Sequence, residues 1–260
     1  LRAERGKISA AQLLVVAGRV RAIAHLHLGI RQLCALCQQC GQRWPLLARM
    51  AGRERRLRAG LRLLLPQPES GEYLLTGEAS PYYIFHPRVP QRIHDLFPKV
   101  KIIALLRNPV ERAISQYYYY IKIGYESLSL EEAIAREPER LKGEIEKLLA
   151  SPTYYSYEHL HHTYLSRGIY ADQLPAWMKL FPKSQILILK SEDLYTNPCD
   201  IFNTVLEFLN LPPHQLETYE KYNSTQYPPV SEAVYQQLKD YFRSHNQRLA
   251  ELCDRDFGWV

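Results

Sequence analysis

Arg107-Asn108-Pro109, followed by Ser115 eight positions beyond the arginine, is the run whose residue types and spacing could do chemistry. The arginine closes a short apolar run, 102–106, rich in β-branched residues, that reads as a buried strand of a parallel sheet. Asn108 suits a helix N-cap and Pro109 the first helical position. Glu111, three residues after the cap, completes a capping-box pattern. Arg107 therefore leaves the C-terminal end of a strand where a helix begins. In open α/β sheets ligands gather at that edge, and a helix N-terminus favours anions. Ser115, two turns along the same helix, adds a hydroxyl to the arginine's fork, a donor pair suited to a phosphate.

With Arg112 and Tyr117 the run becomes R-N-P-x-x-R-x-x-S-x-Y. It resembles the 3′-phosphate-binding segment of sulfotransferases that use 3′-phosphoadenylyl sulfate (PAPS), in particular bacterial, notably cyanobacterial, members related to heparan sulfate sulfotransferases. The resemblance implies that Arg107 and Ser115 hold the 3′-phosphate of the nucleotide. It also implies an α/β fold, a parallel sheet flanked by helices in the P-loop-type sulfotransferase arrangement, with PAPS as co-substrate and no metal. The reaction would be in-line transfer of a sulfuryl group to a hydroxyl or amine, the acceptor being a carbohydrate, lipid, small molecule or carrier-bound intermediate.

Further segments carry the same resemblance, over about residues 70–260. Glu78-Ala79-Ser80-Pro81-Tyr82-Tyr83 is similar to the G-E-x-[ST]-P-x-Y segment lining the acceptor cleft, which nominates Glu78, Tyr82 and Tyr83 for substrate binding. Ala79 stands where the family often has a lysine. Arg167-Gly168 through Trp177 resembles a helix that packs beside the nucleotide. Lys190-Ser191-Glu192-Asp193-Leu194 resembles a strand–loop–helix corner that its acidic residues fix. Lys221–Pro228 corresponds to the late loop closing over the nucleotide, so Lys221 and Tyr227 join the nucleotide set. Ser224, Thr225 and Gln226 occupy places where animal enzymes carry extra cations.

These residues must be positioned by ordinary elements. The sequence predicts a short strand before Tyr83, a helix over 90–97, an amphipathic stretch over 129–149 broken near Pro138, a second parallel strand over 185–189, a helix opening at Asn197-Pro198, and a closing helix over 231–252. Tyr117–Tyr120 cannot all share one helix face and read as packing or rim residues. His159-Leu160-His161-His162 lacks accompanying ligand spacing and reads as a loop-to-helix region near the acceptor mouth rather than a metal site.

Charge divides the chain into residues 1–65 and 66–260. The first part carries 12 Arg and 1 Lys against 2 Glu, a net of +11, and contains no Thr, Asn, Phe, Tyr or Asp; the remainder nets −5. The overall balance of +6 therefore gives no nucleic-acid signal for the whole chain. The Arg-rich part reads either as a basic helical arm for an acidic partner or as the translation of a shifted reading frame. Its Ile8–Val16 run suits a first strand. Where the family's Lys-x-Gly-Thr-Thr loop would cradle the 5′-phosphosulfate, this chain has Gly18-Arg19-Val20-Arg21-Ala22-Ile23, and the family's Lys-Glu pair, with its general base, has no counterpart. No catalytic residue is assigned, and transfer is expected to be impaired or absent. The alternative is a non-catalytic nucleotide- or partner-binding protein with a basic N-terminal arm. A nucleotide kinase would need the same missing loop.

The five cysteines, Cys34, Cys37, Cys40, Cys199 and Cys253, are an odd count that suggests no disulfide framework. The first three have only part of an iron–sulfur spacing. No apolar run is long enough to span a membrane and no signal-peptide layout is seen, so a cytoplasmic location is expected.

Overall fold

The computed structural model describes residues 12–17, 76–215 and 227–259. Strands β1 (Gln12–Ala17) and β2 (Thr76–Ser80) precede helix α1 (Val89–Leu96), strand β3 (Lys101–Leu106) and helix α2 (Pro109–Lys122). Helices α3 (Leu130–Leu141), α4 (Glu144–Ala150), α5 (Tyr157–His161) and α6 (Tyr170–Leu180) follow. Strand β4 (Ile186–Lys190) and helices α7 (Ser191–Thr196), α8 (Pro198–Phe208) and α9 (Glu232–Cys253) complete the order.

The sheet runs β2-β1-β3-β4. β3 and β4 pair in parallel, with Ile102 opposite Ile186 and Leu106 opposite Lys190. The connection between them passes through α2–α6, as a parallel pair requires a long crossover. The α/β class is thus as expected, and the parallel pairing holds for the two strands that flank the site. β1 differs: it runs antiparallel to both β2 and β3, so the four-stranded sheet is mixed.

Side chains of β3 alternate between two cores, which explains its nearly continuous apolar sequence. Ile102, Ala104 and Leu106 pack with α1, α6 and the C-terminal Phe257 and Trp259. Ile103 points to the opposite layer with Leu189, Leu206, Leu209 and Leu211. A third cluster joins α2, α3 and α9 through Val110, Ala113, Leu130, Ala133, Tyr164, Leu238 and Phe242. Helices therefore cover both faces of the β3–β4 pair, as a buried parallel pair demands.

The stretch over 129–149 does form two helices, but the break lies beyond Pro138. α3 runs through Pro138 to Leu141, started by a full capping box between Ser129 and Glu132. The chain turns at Gly143, whose φ of +76° only glycine adopts without strain. Glu126 ties this layer together. Burial pushes its carboxyl up, but Arg140, the amides of Leu128 and Ser127 and the Tyr164 hydroxyl bring it down to about 2. Arg112 lies wholly inside, donating to Gln116 and to the Tyr164 carbonyl, and burial lowers it to about 10. The Cys34, Cys37 and Cys40 spacing and most of the Arg-rich segment fall outside the described residues; Cys199 and Cys253 are free thiols.

Gly168, in the short 3-10 turn before α6, shows why glycine follows Arg167 there. A Cβ would lie 2.7 Å from the ring of Phe242 on α9 and 3.1 Å from Pro109 on α2. Both neighbours are buried, and neither can yield cheaply in a close-packed interior. Gly168→Ala should lower stability by about 1–3 kcal/mol, read from denaturant unfolding. An unchanged unfolding midpoint would show that the α2–α9 contact is looser than this packing implies.

Candidate functional site

The site begins with the joint between β3 and α2. The Asn108 carboxamide oxygen accepts from the amides of Val110, at 2.9 Å, and Glu111, at 3.4 Å, capping α2 as its sequence predicts. Pro109 takes the first helical position. The reciprocal half of the capping box does not form. Glu111 instead turns toward Arg107, with 3.5 Å between its carboxylate and the guanidinium, and accepts from the Tyr235 hydroxyl at 3.2 Å. The Arg107 carbonyl accepts from the buried Tyr170 hydroxyl at 2.8 Å, and the Asn108 amide donates to Glu192 at 2.8 Å. The turn is thus held from α6 and from the start of α7. The acidic residues after β4 do fix this corner: Glu192 grips Asn108, and Asp193 pairs with Arg255 at 2.9 Å.

Ser115 is buried on α2, and its hydroxyl lies 2.9 Å from that of Tyr227. The Tyr227 ring stacks on Tyr118 of the same helix, 5.2 Å between centroids and nearly parallel at 9°. Residues 112 positions apart in sequence are thereby brought together. Arg107 retains partial exposure at the strand end. Lys221 lies outside the described residues. Guanidinium, helix N-terminus and two hydroxyls form a donor set whose chemistry fits a phosphate. Glu111 is an acidic group paired within that set, and an incoming anion would compete with it for Arg107.

The residues nominated for substrate binding divide. Glu78 sits on β2, opposite Val15 of β1. Tyr83 is fully buried in the core beside Val89 and Ile93, a wall residue rather than a surface contact. Tyr82 is also buried, and its hydroxyl is bound internally, 2.6 Å from Nδ1 of His159. Burial raises the phenol and, reinforced by Arg167 and His86, holds His159 down at about 3. Tyr82 and a neutral His159 therefore share a hydrogen bond whose direction the imidazole tautomer sets. Phe85 stacks on the same imidazole at 4.3 Å, and the Arg167 guanidinium lies 5.2 Å from the Tyr82 ring and 5.3 Å from that of Phe85. Arg167 also donates to the Leu160 carbonyl at 2.6 Å.

This knot was only half legible. The histidine run and the Arg167-Gly168 pair stand out in sequence, but nothing there announces that Tyr82 and His159, 77 positions apart, share a proton. The three histidines do not converge on a common point. His161 meets Tyr155, while His162 meets Glu158 at 2.5 Å and the Tyr125 carbonyl at 3.0 Å. Among the described residues no group of three or more His, Cys, Asp or Glu is placed to hold a metal, and no helix is long and apolar enough to cross a membrane.

Comparison with known proteins gives the chain a family. Residues 69–250 match the sulfotransferase domain family. The membrane-associated sulfotransferase kil1 of Dictyostelium discoideum is 27% identical over 250 residues, covering 71% of this chain and 53% of that protein. Mouse heparan sulfate glucosamine 3-O-sulfotransferase 6 is 27% identical over 225 residues, covering 77% of this chain and 60% of that protein. The solved sulfotransferase of Alicyclobacillus acidocaldarius superimposes with a TM-score of 0.59 at 26% identity, over 77% of this chain and 72% of that one. The fold is an α/β one with a parallel strand pair, and the chain belongs to the sulfotransferase family. It spans little more than half the length of the curated relatives it matches.

Replacing Glu111 by Gln should remove one competitor for Arg107 and a negative charge from the helix N-terminus. The pair is partly exposed and worth about 0.2–1 kcal/mol. The affinity for adenosine 3′,5′-bisphosphate (PAP) should therefore rise by up to about five-fold. A weaker-binding Glu111→Gln protein would mean the carboxylate positions Arg107 instead of competing for it.

Proposed function

We propose that the chain is a sulfotransferase of reduced turnover that holds PAPS by its 3′-phosphate and passes the sulfuryl group to a saccharide hydroxyl. The observation that carries this reading is the Ser115–Tyr227 hydroxyl pair on α2, the helix that Arg107 immediately precedes. Arg107 would supply a bidentate charged contact, while the two hydroxyls would complete the phosphate's shell. Tyr118, stacked on Tyr227, would keep that hydroxyl aimed at Ser115. A saccharide acceptor is supported by the heparan sulfate sulfotransferases among the relatives.

In the transfer, the bond between sulfur and the 5′-phosphate oxygen breaks as the acceptor oxygen bonds to sulfur, and the acceptor proton leaves to a base. Charge builds on the departing phosphate oxygen. The chain has no Lys-x-Gly-Thr-Thr run to meet that charge and no Lys-Glu pair to take the proton. Each missing preorganised donor costs roughly 100- to 1,000-fold in rate. Nucleotide recognition resides in a separate part of the chain and is expected to survive. A wholly non-catalytic binding protein is disfavoured, because the family match runs through the nucleotide and acceptor segments alike.

The test is transfer of labelled sulfate from PAPS to a saccharide panel, with enzyme in excess and long incubation. Slow product formation is expected, with Ser115→Ala raising KM for PAPS by about five- to ten-fold and leaving kcat nearly unchanged. No product on any acceptor, under conditions where PAP still binds, would reduce the chain to a nucleotide-binding protein.

A further inference from the structure

Glu111, Ser115 and Tyr118 lie four and then three residues apart on α2, so they share one stripe of that helix. Two tyrosines from the segment that leads into α9 meet this stripe. Tyr227 takes two of its members, with its hydroxyl 2.9 Å from that of Ser115 and its ring stacked on Tyr118. Tyr235, in the first turn of α9, takes the third: its hydroxyl donates to Oε1 of Glu111 at 3.2 Å. Behind this contact Val234 and Leu238 of α9 pack with Val110 and Ala113 of α2 in one buried cluster, and the Tyr235 ring packs against it. The phenol therefore reaches Glu111 from a fixed base.

Glu111 divides its two oxygens. Oε1 accepts from Tyr235, while Oε2 lies 3.5 Å from Nη2 of Arg107. A charge-assisted contact between a guanidinium and a carboxylate closes to about 2.7–2.9 Å, and a carboxylate that offers both oxygens binds the fork bidentately. The Arg107–Glu111 contact is longer than that and uses one oxygen, the other being committed to α9. Burial, with the Glu111 and Glu232 carboxylates beside it, raises the Tyr235 phenol, so the group is a neutral donor at physiological pH.

We infer that Tyr235 is a positioning residue for nucleotide recognition: it restrains Glu111 to a single-oxygen contact and thereby keeps Arg107 exchangeable for the 3′-phosphate. The inference rests on the reading of Arg107 as a 3′-phosphate ligand and adds what sets the strength of that contact. When the nucleotide arrives, Arg107 trades a long contact for a charged hydrogen bond. Glu111 keeps the Tyr235 hydroxyl and is not left without a donor. In the absence of that hydroxyl, both carboxylate oxygens are available to the guanidinium, and Glu111 becomes the stronger competitor. Tyr235 touches neither the nucleotide nor the acceptor in this scheme and acts only through Glu111.

The experiment is titration calorimetry with PAP and with adenosine 5′-phosphate on four full-length proteins: the unmodified chain, Tyr235→Phe, Glu111→Gln and the double variant. Tyr235→Phe keeps the ring and its packing and removes only the donor. It should weaken PAP by about three-fold, the middle of the range for a partly exposed pair, and leave the monophosphate unchanged. In the Glu111→Gln background the same substitution should have no effect, because no charged competitor is left to restrain. A merely structural role would instead weaken both nucleotides and persist in that background. Unchanged or tighter PAP binding by Tyr235→Phe overturns the inference. So do equal losses for the two nucleotides, or a loss that survives Glu111→Gln. A preference for PAP that Tyr235→Phe leaves intact removes only the role of Tyr235. If the unmodified chain binds PAP no better than the monophosphate, the 3′-phosphate reading itself fails and the inference falls with it.

Discussion

The turn from β3 into α2 is the constraint on which the described part of the molecule depends. An N-cap asparagine and an N1 proline start the helix, but they do not aim it. Aim comes from Tyr170 holding the Arg107 carbonyl and from Glu192 holding the Asn108 amide. Both partners come from elements packed against the sheet, so the helix N-terminus is fixed to the core. Gly168 belongs to the same arrangement, because its missing side chain lets Phe242 and Pro109 approach from two helices. A phosphate site made of donors on one short turn needs this rigidity, since each donor stabilises an anion only while it points at it.

The acceptor side is built differently. Buried neutral groups, Tyr82, His159 and His86, form a wall in which Tyr82 bonds His159 and the Arg88 amide donates to His86. Burial lowers His86 to about 4 as well, so the wall carries no imidazolium at physiological pH. Arg167 is the cation in this wall, and it contacts two aromatic rings and two carbonyls.

Much of the fold was legible because its signals are local. The apolar run of β3, the Asn-Pro starts of α2 and α8 and the serine cap of α9 each specify an element within a few residues. The antiparallel setting of β1 was not legible, since strand direction depends on where the connecting chain travels and not on the strand's own pattern. Pro138 misled because proline near a helix end is tolerated, and the true break needed the left-handed turn at Gly143. In the candidate site, Arg107 and Ser115 were nominated by spacing. The engagement of Arg107 by Glu111, the enclosure of Tyr83 and the Tyr82–His159 bond are long-range or rotamer facts that spacing does not encode.

The central claim is that Arg107 reads a 3′-phosphate. Calorimetry with PAP and with adenosine 5′-phosphate, on the unmodified chain and on Arg107→Ala, tests it directly. A charged hydrogen bond of this kind contributes about 1.5–3 kcal/mol. PAP should therefore bind the unmodified chain at least about ten-fold more tightly than adenosine 5′-phosphate, and Arg107→Ala should erase most of that preference while leaving the monophosphate nearly unaffected. Equal losses for both nucleotides, or a preference that survives the substitution, would contradict the assignment.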